Sequence, residues 1–571
     1  IVPIIIVYLF LSKFIVEGGA AIADLLTGGA TPCGKLPDTF ARDLSDYPST
    51  EHFHDSPLYV DYTEDIYVGY RYFETLPGAA EKVCYPFGFG LSYTSFSLEA
   101  VSAGEESGLI RVSVRVTNTG GTAGKEVVQL YFCPPQGKLQ KPLRHLAAFR
   151  KTELLAPGES ETVELTFAVS DMACFDDLGR IASSAWVLEK GTYKFCLGTS
   201  VRDAAELAYT YEQAETRVVS QLSASLAPSH LAKRLLADGS YETLPAAPAV
   251  DTDANLLQPL TAAQAEAVAP ATRGRERWML TEPYPNGAQP LSAVAEGKLS
   301  LDEFMAQLGD EELIHLLGGQ PNVGVSNTFG IGNLPEYGVP DITTADGPAG
   351  LRLSPEVGVC TTAWPCATLL AATWDEALTA EVGAAAAEEV KENNISVWLA
   401  PAVNIHRNPL CGRNFEYYSE DPLLTGKLAS AMVRGVQSQS VAATVKHFAC
   451  NNKETNRKNS DSRLSQRALR EIYLRAFEII VREARPWAIM SSYNIINGRR
   501  ASESRELLTD ILRTEWGYTG MVMTDWWTRG EHYKELLAGN DLKMANGYPE
   551  RVRETMKLGA VTRGDLEVCA R

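Results

Sequence analysis

GMVMTDWW, residues 520–527, is the stretch on which the fold turns. Gly520 interrupts regular structure, Met521 to Thr524 carry no charge, and Asp525 follows at once. A short run of this kind suits a strand buried on both faces of a parallel sheet, and it is too short for a globular helix. Working outward, the same pattern recurs in DITTAD (341–346), ISVWLAP (395–401), VAATVKHF (441–448), AIMSSYN (488–494) and DLKMAN (541–546). Longer stretches separate these runs. Between Leu464 and Val481, for example, Leu469, Ile472, Ala476 and Ile479 fall three or four residues apart, the spacing of a helix with one buried face. Alternating strands and helices predict parallel β/α structure. The roughly 280 residues from 291 to 571 suit a (β/α)8, TIM-like barrel, whose functional groups sit at the carboxyl ends of its strands.

Upstream the period changes from 3.6 to 2. In LIRVSVRVT (109–117), Ile110, Val112, Val114 and Val116 share one face, and Arg111, Ser113, Arg115 and Thr117 share the other. EVVQLYF (126–132), ETVELTF (161–167) and TYKFCLG (192–198) follow, bounded by the turn-forming NTGG (118–121) and APGES (156–160). Residues 87–205 are therefore expected to form an antiparallel β-sandwich. Residues 206–290, with the Ala- and Pro-rich LPAAPAVDTDANLLQPLTAAQAEAVAP (244–270), read as a linker with some helix. Residues 1–86 read as the end of an α/β unit. Their first sixteen, IVPIIIVYLFLSKFIV, are too short for a spanning helix and lack a signal peptide's basic start and small-residue cleavage site. They are expected to be a buried strand or helix of a domain truncated at its start, and a cytoplasmic location is expected from the missing signal.

With 571 residues the chain exceeds a single core, and with 45% hydrophobic and 22% charged residues it has the composition of a globular protein. A net charge of -19 disfavours nucleic acid and anionic membranes as partners and leaves a neutral ligand such as a sugar unaffected. The ten cysteines are scattered, so reduced and mostly buried thiols are expected. No His/Cys/carboxylate grouping has metal spacing, and neither a metal nor a cofactor is expected.

Polar residues fall repeatedly at the predicted strand ends: Asp346, Lys446 with His447, Tyr493 and Asp525. Each has an ordinary reading. An Asp there is often the cap of the next helix, a Lys a rim charge, a His a satisfied core imidazole, and Arg413 a clamp on Glu416, Glu420 or Asp421. Together they describe one polar pocket at a barrel mouth, able to donate and accept hydrogen bonds to a polyol.

Beyond that reading, residues 330–571 resemble the catalytic barrel of glycoside hydrolase family 3, β-glucosidase branch. The matching stretches are TADGPAGLRL (344–353), PAVNIHRNPLCGRNFEYYSEDP (401–422), ATVKHFACNNKETNR (443–457), LREIYLRAFE (469–478), MSSYNIINGRRASES (490–504), LLTDILRTEWGYTGMVMTDWW (507–527) and AGNDLKMANG (538–547). VEGGAAIADLLTGGATPCGKLPDTF (16–40) and YVGYRYFE (67–74) resemble the end of the family's α/β sandwich domain, and YPFGFGLSYTSFSLEA (85–100) the opening of its fibronectin type III-like module. The order, sandwich domain and module before barrel, is that of a subset of bacterial members. The resemblance implies that Asp525 is the nucleophile, and that Asp346, Arg352, Arg413, Lys446, His447, Arg457, Met490, Tyr493 and Trp526 bind the sugar.

The same resemblance implies a retaining exo-β-glycosidase, most simply a β-glucosidase acting on terminal β-D-glucosyl residues of a β-glucoside or cello-oligosaccharide. Such an enzyme needs a second carboxyl group as acid/base, about 5 Å from the nucleophile. In this branch it is a Glu of the α/β domain, expected before Ile1. Glu17 in the VEGG run is not that residue, and KHFACNN (446–452) lacks the His of the KHFPGHG-like run used by the N-acetylglucosaminidase branch. A β-xylosidase, a broader exo-β-glycosidase and a catalytically silent carbohydrate-binding protein remain as alternatives, and homo-oligomerisation is left open.

Overall fold

The structure is a computed structural model, and it describes residues 19–245, 287–321 and 324–571. The apolar run at 1–16 and the Ala- and Pro-rich core of the linker lie outside the described residues.

The sandwich follows its alternation. Strand Leu109–Asn118 buries Ile110, Val112, Val114 and Val116, and it pairs antiparallel with Phe96–Glu106 on one side and Ser160–Ala168 on the other. Ile110 lies opposite Phe167, Val112 opposite Leu165 and Val114 opposite Val163. Cross-strand apolar pairs of this kind set the register, because a one-residue slip would turn every valine to solvent. A second sheet, in the order Ala205–Gln213, Gly191–Gly198, Val127–Cys133, His145–Lys151, closes the sandwich. Its outermost strand carries the module to Gln213, past the expected boundary at 205. Between there and Leu244 the chain forms strands, Arg217–Gln221, Lys233–Leu235 and Tyr241–Thr243, where some helix was expected. The period-2 pattern there is short and interrupted, and pairing of Arg217–Gln221 with Ala185–Leu188 and of Lys233–Leu235 with Tyr241–Thr243 supplies the order that the local sequence lacks.

The barrel closes on itself. Its sheet runs in the order Gly330–Leu334, Val339–Ala345, Val397–Trp398, Ala442–Phe448, Ala488–Ser491, Met521–Thr524. Bridges from Met523 to Leu542, Lys543 to Gly318 and Gln320 to Gly330 complete the ring. One member runs the other way. Gly330–Leu334 pairs antiparallel with Val339–Ala345 across the short helical turn Pro335–Tyr337, so no long helix separates them and the ring departs from strict β/α repetition. Val397, Leu399, Met490, Met523, Leu542 and Met544 are buried together as one apolar cluster built from these strands.

The expected helix at 464–481 is present with a flaw in the middle. Ser465 caps its start by accepting from Ala468 N, Leu469–Tyr473 widens into a π-turn, and Arg475–Ala484 resumes as α-helix. Leu469, Ile472, Ala476 and Ile479 are buried as their spacing requires.

Residues 19–86 dock on the barrel. Strand Tyr59–Asp61 joins Asp461–Arg463 in parallel, as the edge of a small sheet with Ile495–Ile496 and Arg499–Arg500. Buried ion pairs back it: Arg407 Nε to Glu64 Oε1 at 2.5 Å and Arg71 Nη2 to Asp421 Oδ2 at 2.8 Å. Of the ten cysteines, four are buried, fewer than expected, and Cys84 and Cys360 are exposed. No helix among the described residues is long and apolar enough to cross a membrane.

Candidate active site

Strand register assembles the pocket. Lys446, Met490 and Met523 lie side by side on three neighbouring strands, and Phe448, Ser491 and Thr524 form the next level. Asp525 begins where strand Met521–Thr524 ends, its backbone N donating to Ser491 O at 3.2 Å. It is 8% exposed. Trp526 N donates to its Oδ1 at 2.7 Å, while Oδ2 stands 3.8 Å from His447 Nε2. Burial raises the Asp525 pKa, and it outweighs the opposing pull of Lys446, Arg413, the Trp526 N–H and Tyr493. The cations around it therefore hold its charge only in part.

His447 is no cation. Burial, then Arg413, Lys446 and Arg457, push its pKa well below the ordinary histidine value. The neutral ring is aimed by its surroundings: Asn404 binds the His447 backbone on both sides, through Oδ1 to N at 3.0 Å and Nδ2 to O at 2.9 Å. The Tyr417 hydroxyl lies 3.4 Å from Nδ1 and accepts from Asn451 Nδ2 at 2.8 Å.

Asp346, just beyond strand Val339–Ala345, accepts from Lys446 Nζ at 2.6 Å and from Arg352 Nη1 at 3.2 Å. Burial would raise its pKa, yet Lys446, the Gly347 N–H and Arg352 bring it down to about 2. An ionised carboxylate beside an ammonium offers acceptor and donor together, as two adjacent sugar hydroxyls require. Arg352 itself is largely solvent-exposed, at the rim.

Arg413 clamps Glu416, with Nε donating to Oε2 at 2.6 Å. Burial opposes its charge, but Tyr417, Glu416 and Asp525 more than compensate, so it stays a cation facing Asp525. Arg457 binds Glu454 Oε2 at 2.8 Å and lies 4.9 Å over the Tyr493 ring. The Tyr493 hydroxyl donates to Trp526 O at 2.5 Å, and burial and then Asp525 raise its pKa far above the ordinary range. Trp526 packs on the barrel's apolar cluster, with its indole N–H buried and without a hydrogen-bond partner among the described residues.

The expected residues thus gather around Asp525, with two distinctions. Met490 is 1% exposed and belongs to the apolar cluster beneath the pocket, and Arg352 acts through Asp346. Glu416, one of the three carboxylates offered as partners of Arg413, is the one it binds, whereas Asn404, Tyr417, Asn451 and Glu454 were not singled out from the sequence. They are neutral residues or, for Glu454, a carboxylate paired to arginine within the quoted motifs, and only contact reveals that they hold the others. No group of three or more His, Cys, Asp or Glu among the described residues could hold a metal ion. A cleft of about 490 Å³ elsewhere, between sandwich and barrel, is lined by none of these groups.

Comparison with known proteins finds three domain matches along the chain. Residues 336–563 match the glycosyl hydrolase family 3 N-terminal domain, 126–201 a fibronectin type III-like domain, and 15–93 the glycosyl hydrolase family 3 C-terminal domain. The domain described as C-terminal comes first. The chain is 57% identical over 574 residues to beta-glucosidase A of Butyrivibrio fibrisolvens, covering 97% of this chain and 69% of that protein. It is 41% identical over 581 residues to a beta-glucosidase of Ruminococcus albus, covering 97% and 59% respectively. A solved beta-glucosidase from Paenibacillus barengoltzii, 41% identical, superposes with a TM-score of 0.86 over 97% of this chain and 62% of that one. The chain therefore spans about three fifths to two thirds of the length of these relatives.

Proposed function

The chain belongs to glycosyl hydrolase family 3, and from that premise we propose that it is the barrel-bearing part of a retaining exo-β-glucosidase with Asp525 as nucleophile. The observation that carries the reading is the setting of Asp525. A buried carboxylate stands at a strand end, facing Arg413 and Lys446, with Asp346 and Lys446 beside it to grip hydroxyls.

In this mechanism Asp525 attacks the anomeric carbon, the leaving oxygen takes a proton, and water later displaces the aspartyl ester with retention. Oδ1 is steadied by the Trp526 N–H, so the less engaged Oδ2 is the attacking atom. Neutral His447 and charged Lys446 donate to sugar hydroxyls, and ionised Asp346 accepts from them. Buried polar groups that match a hydroxyl in this way discriminate strongly against ligands lacking it.

On the family resemblance the second carboxyl is a glutamate of the α/β domain. Glu416 and Glu454 are each already bound to an arginine, so neither is nominated. Without general acid catalysis a natural glucoside loses about 10²- to 10⁴-fold in rate. Activated aryl β-glucosides should still glycosylate Asp525, and azide should then speed turnover of the ester.

The test is trapping with a 2-deoxy-2-fluoro glucoside bearing an activated leaving group, followed by peptide mass mapping. A label on Asp525 is expected, and a label on any other residue ends the assignment.

A further inference from the structure

The 490 Å³ cleft between the sandwich and the outer helices of the barrel has the size of a small-molecule site, and it lies at a domain junction, where such sites concentrate. Its walls are aromatic on both sides, with Phe132, Phe167 and Trp186 from the sandwich and Trp516 from the barrel. Charged groups at its edge are closed on one another. Arg470 Nη2 binds Glu515 Oε1 at 3.0 Å, and Lys427 binds Glu483 at 2.7 Å.

Two lining groups are not closed. Arg71 is 5% exposed and gives Nη2 to Asp421, but its Nη1 is buried without a partner among the described residues. His145 stacks flat on Phe132, with ring centroids 4.8 Å apart, and its Nε2 is likewise buried and unpartnered. A bond from Leu146 N to the Tyr70 hydroxyl, at 2.9 Å, holds the two neighbourhoods together. The charges acting on His145 are the cations Arg71, Arg467 and Lys141. With burial they keep the imidazole neutral and leave a positive potential there. Buried polar atoms without a partner are unfavourable, so a ligand that pairs with both is stabilised by doing so.

We propose that this cleft binds a small aromatic monocarboxylate, with its ring between the aromatic side chains and its carboxylate accepting from Arg71 Nη1 and the Nε2–H tautomer of His145. A sugar fits less well, because its hydroxyls bring donors as well as acceptors and Arg71 offers only donors. The site is independent of Asp525, since no residue of the catalytic pocket lines it.

Calorimetric titration of the 571-residue chain with benzoate, and with benzamide as the uncharged isostere, tests the proposal. Benzoate is expected to bind at least about tenfold more tightly than benzamide, a difference of one charge-assisted hydrogen bond. His145→Phe keeps the stack on Phe132 and removes Nε2, so it should weaken benzoate about tenfold and leave benzamide unchanged. Arg71→Gln should do the same, and Asp525→Asn should leave benzoate binding intact. In the parent chain, benzoate should also shift the His145 imidazole NMR resonances, a readout that needs no variant to fold. The proposal is overturned if benzoate and benzamide bind alike, if neither binds, if the His145 resonances do not move, or if Asp525→Asn abolishes binding.

Discussion

Asp525 illustrates a conflict between what folding favours and what catalysis requires. Burial raises its pKa, so the ionised form needed for attack is disfavoured within the folded chain. A carboxyl with a raised folded pKa contributes stability at low pH that is lost as pH rises through that value. At pH 7 its charge is therefore a cost, and Asp525→Asn should raise the melting temperature while lowering kcat/KM on aryl glucosides by at least ~10³-fold. Scanning calorimetry beside the activity assay checks both halves, and a variant that melts lower would contradict the electrostatic account. For the same reason the acid limb of kcat/KM should lie above the ordinary aspartate value of about 3.9. Asp525, Lys446, His447 and Tyr493 were legible in the sequence because each interrupts or ends an apolar run. The state of His447 was not, because only the packing and the cations around it show a neutral ring. Asn404 and Tyr417 gave no signal either, since their work is to orient another residue across the fold.

At the level of elements, strands with period 2 or short apolar runs were read correctly wherever the pattern lasted, as in Leu109–Asn118 and Met521–Thr524. Gly330–Leu334, with two glycines in five residues, was missed. Its strand character comes from pairing with Val339–Ala345, and glycine supplies little local preference of its own. The π-turn at Leu469–Tyr473 was invisible for a similar reason, because the spacing of buried residues survives one widened turn. The loop after the nucleophile is held by an element contact that the motif does not reveal. Lys543 Nζ, fully buried, binds Glu535 Oε2 at 2.5 Å, Thr528 Oγ1 at 3.0 Å and Gly530 O at 2.9 Å. Removing one member of a buried pair leaves the other uncompensated, so Lys543→Met should cost about 3–5 kcal/mol in urea unfolding. The double variant Lys543→Met/Glu535→Leu should recover most of that loss. If the single variant is neutral, the pair does not anchor this loop.

Across the whole molecule, residues 19–86 meet the barrel through a shared apolar core and through buried polar contacts, one of which is sensitive to pH. Glu420 accepts from Thr39 N, Thr39 Oγ1 and Tyr70 N, yet burial and then Asp38 push its pKa up to about 8. A proton held there in the folded state stabilises docking below an unfolded value of about 4.3, and that contribution is lost as pH rises towards 8. Protease resistance of the segment containing Thr39 and Tyr70 should therefore decline from about pH 5 to pH 8, and Glu420→Gln should flatten the trend. An unchanged slope in the variant would move the effect to another group. The parallel pairing of Tyr59–Asp61 with Asp461–Arg463 has a wider consequence. Hydrogen bonds between strands do not depend on which came first from the ribosome or on whether a peptide still links them. Severing the backbone between Leu244 and Gly287, by an inserted protease site, should leave two polypeptides that co-elute in gel filtration and part only on denaturation. The covalent thread would then be a tether for assembly, and the finished shape would be remembered by its surfaces alone.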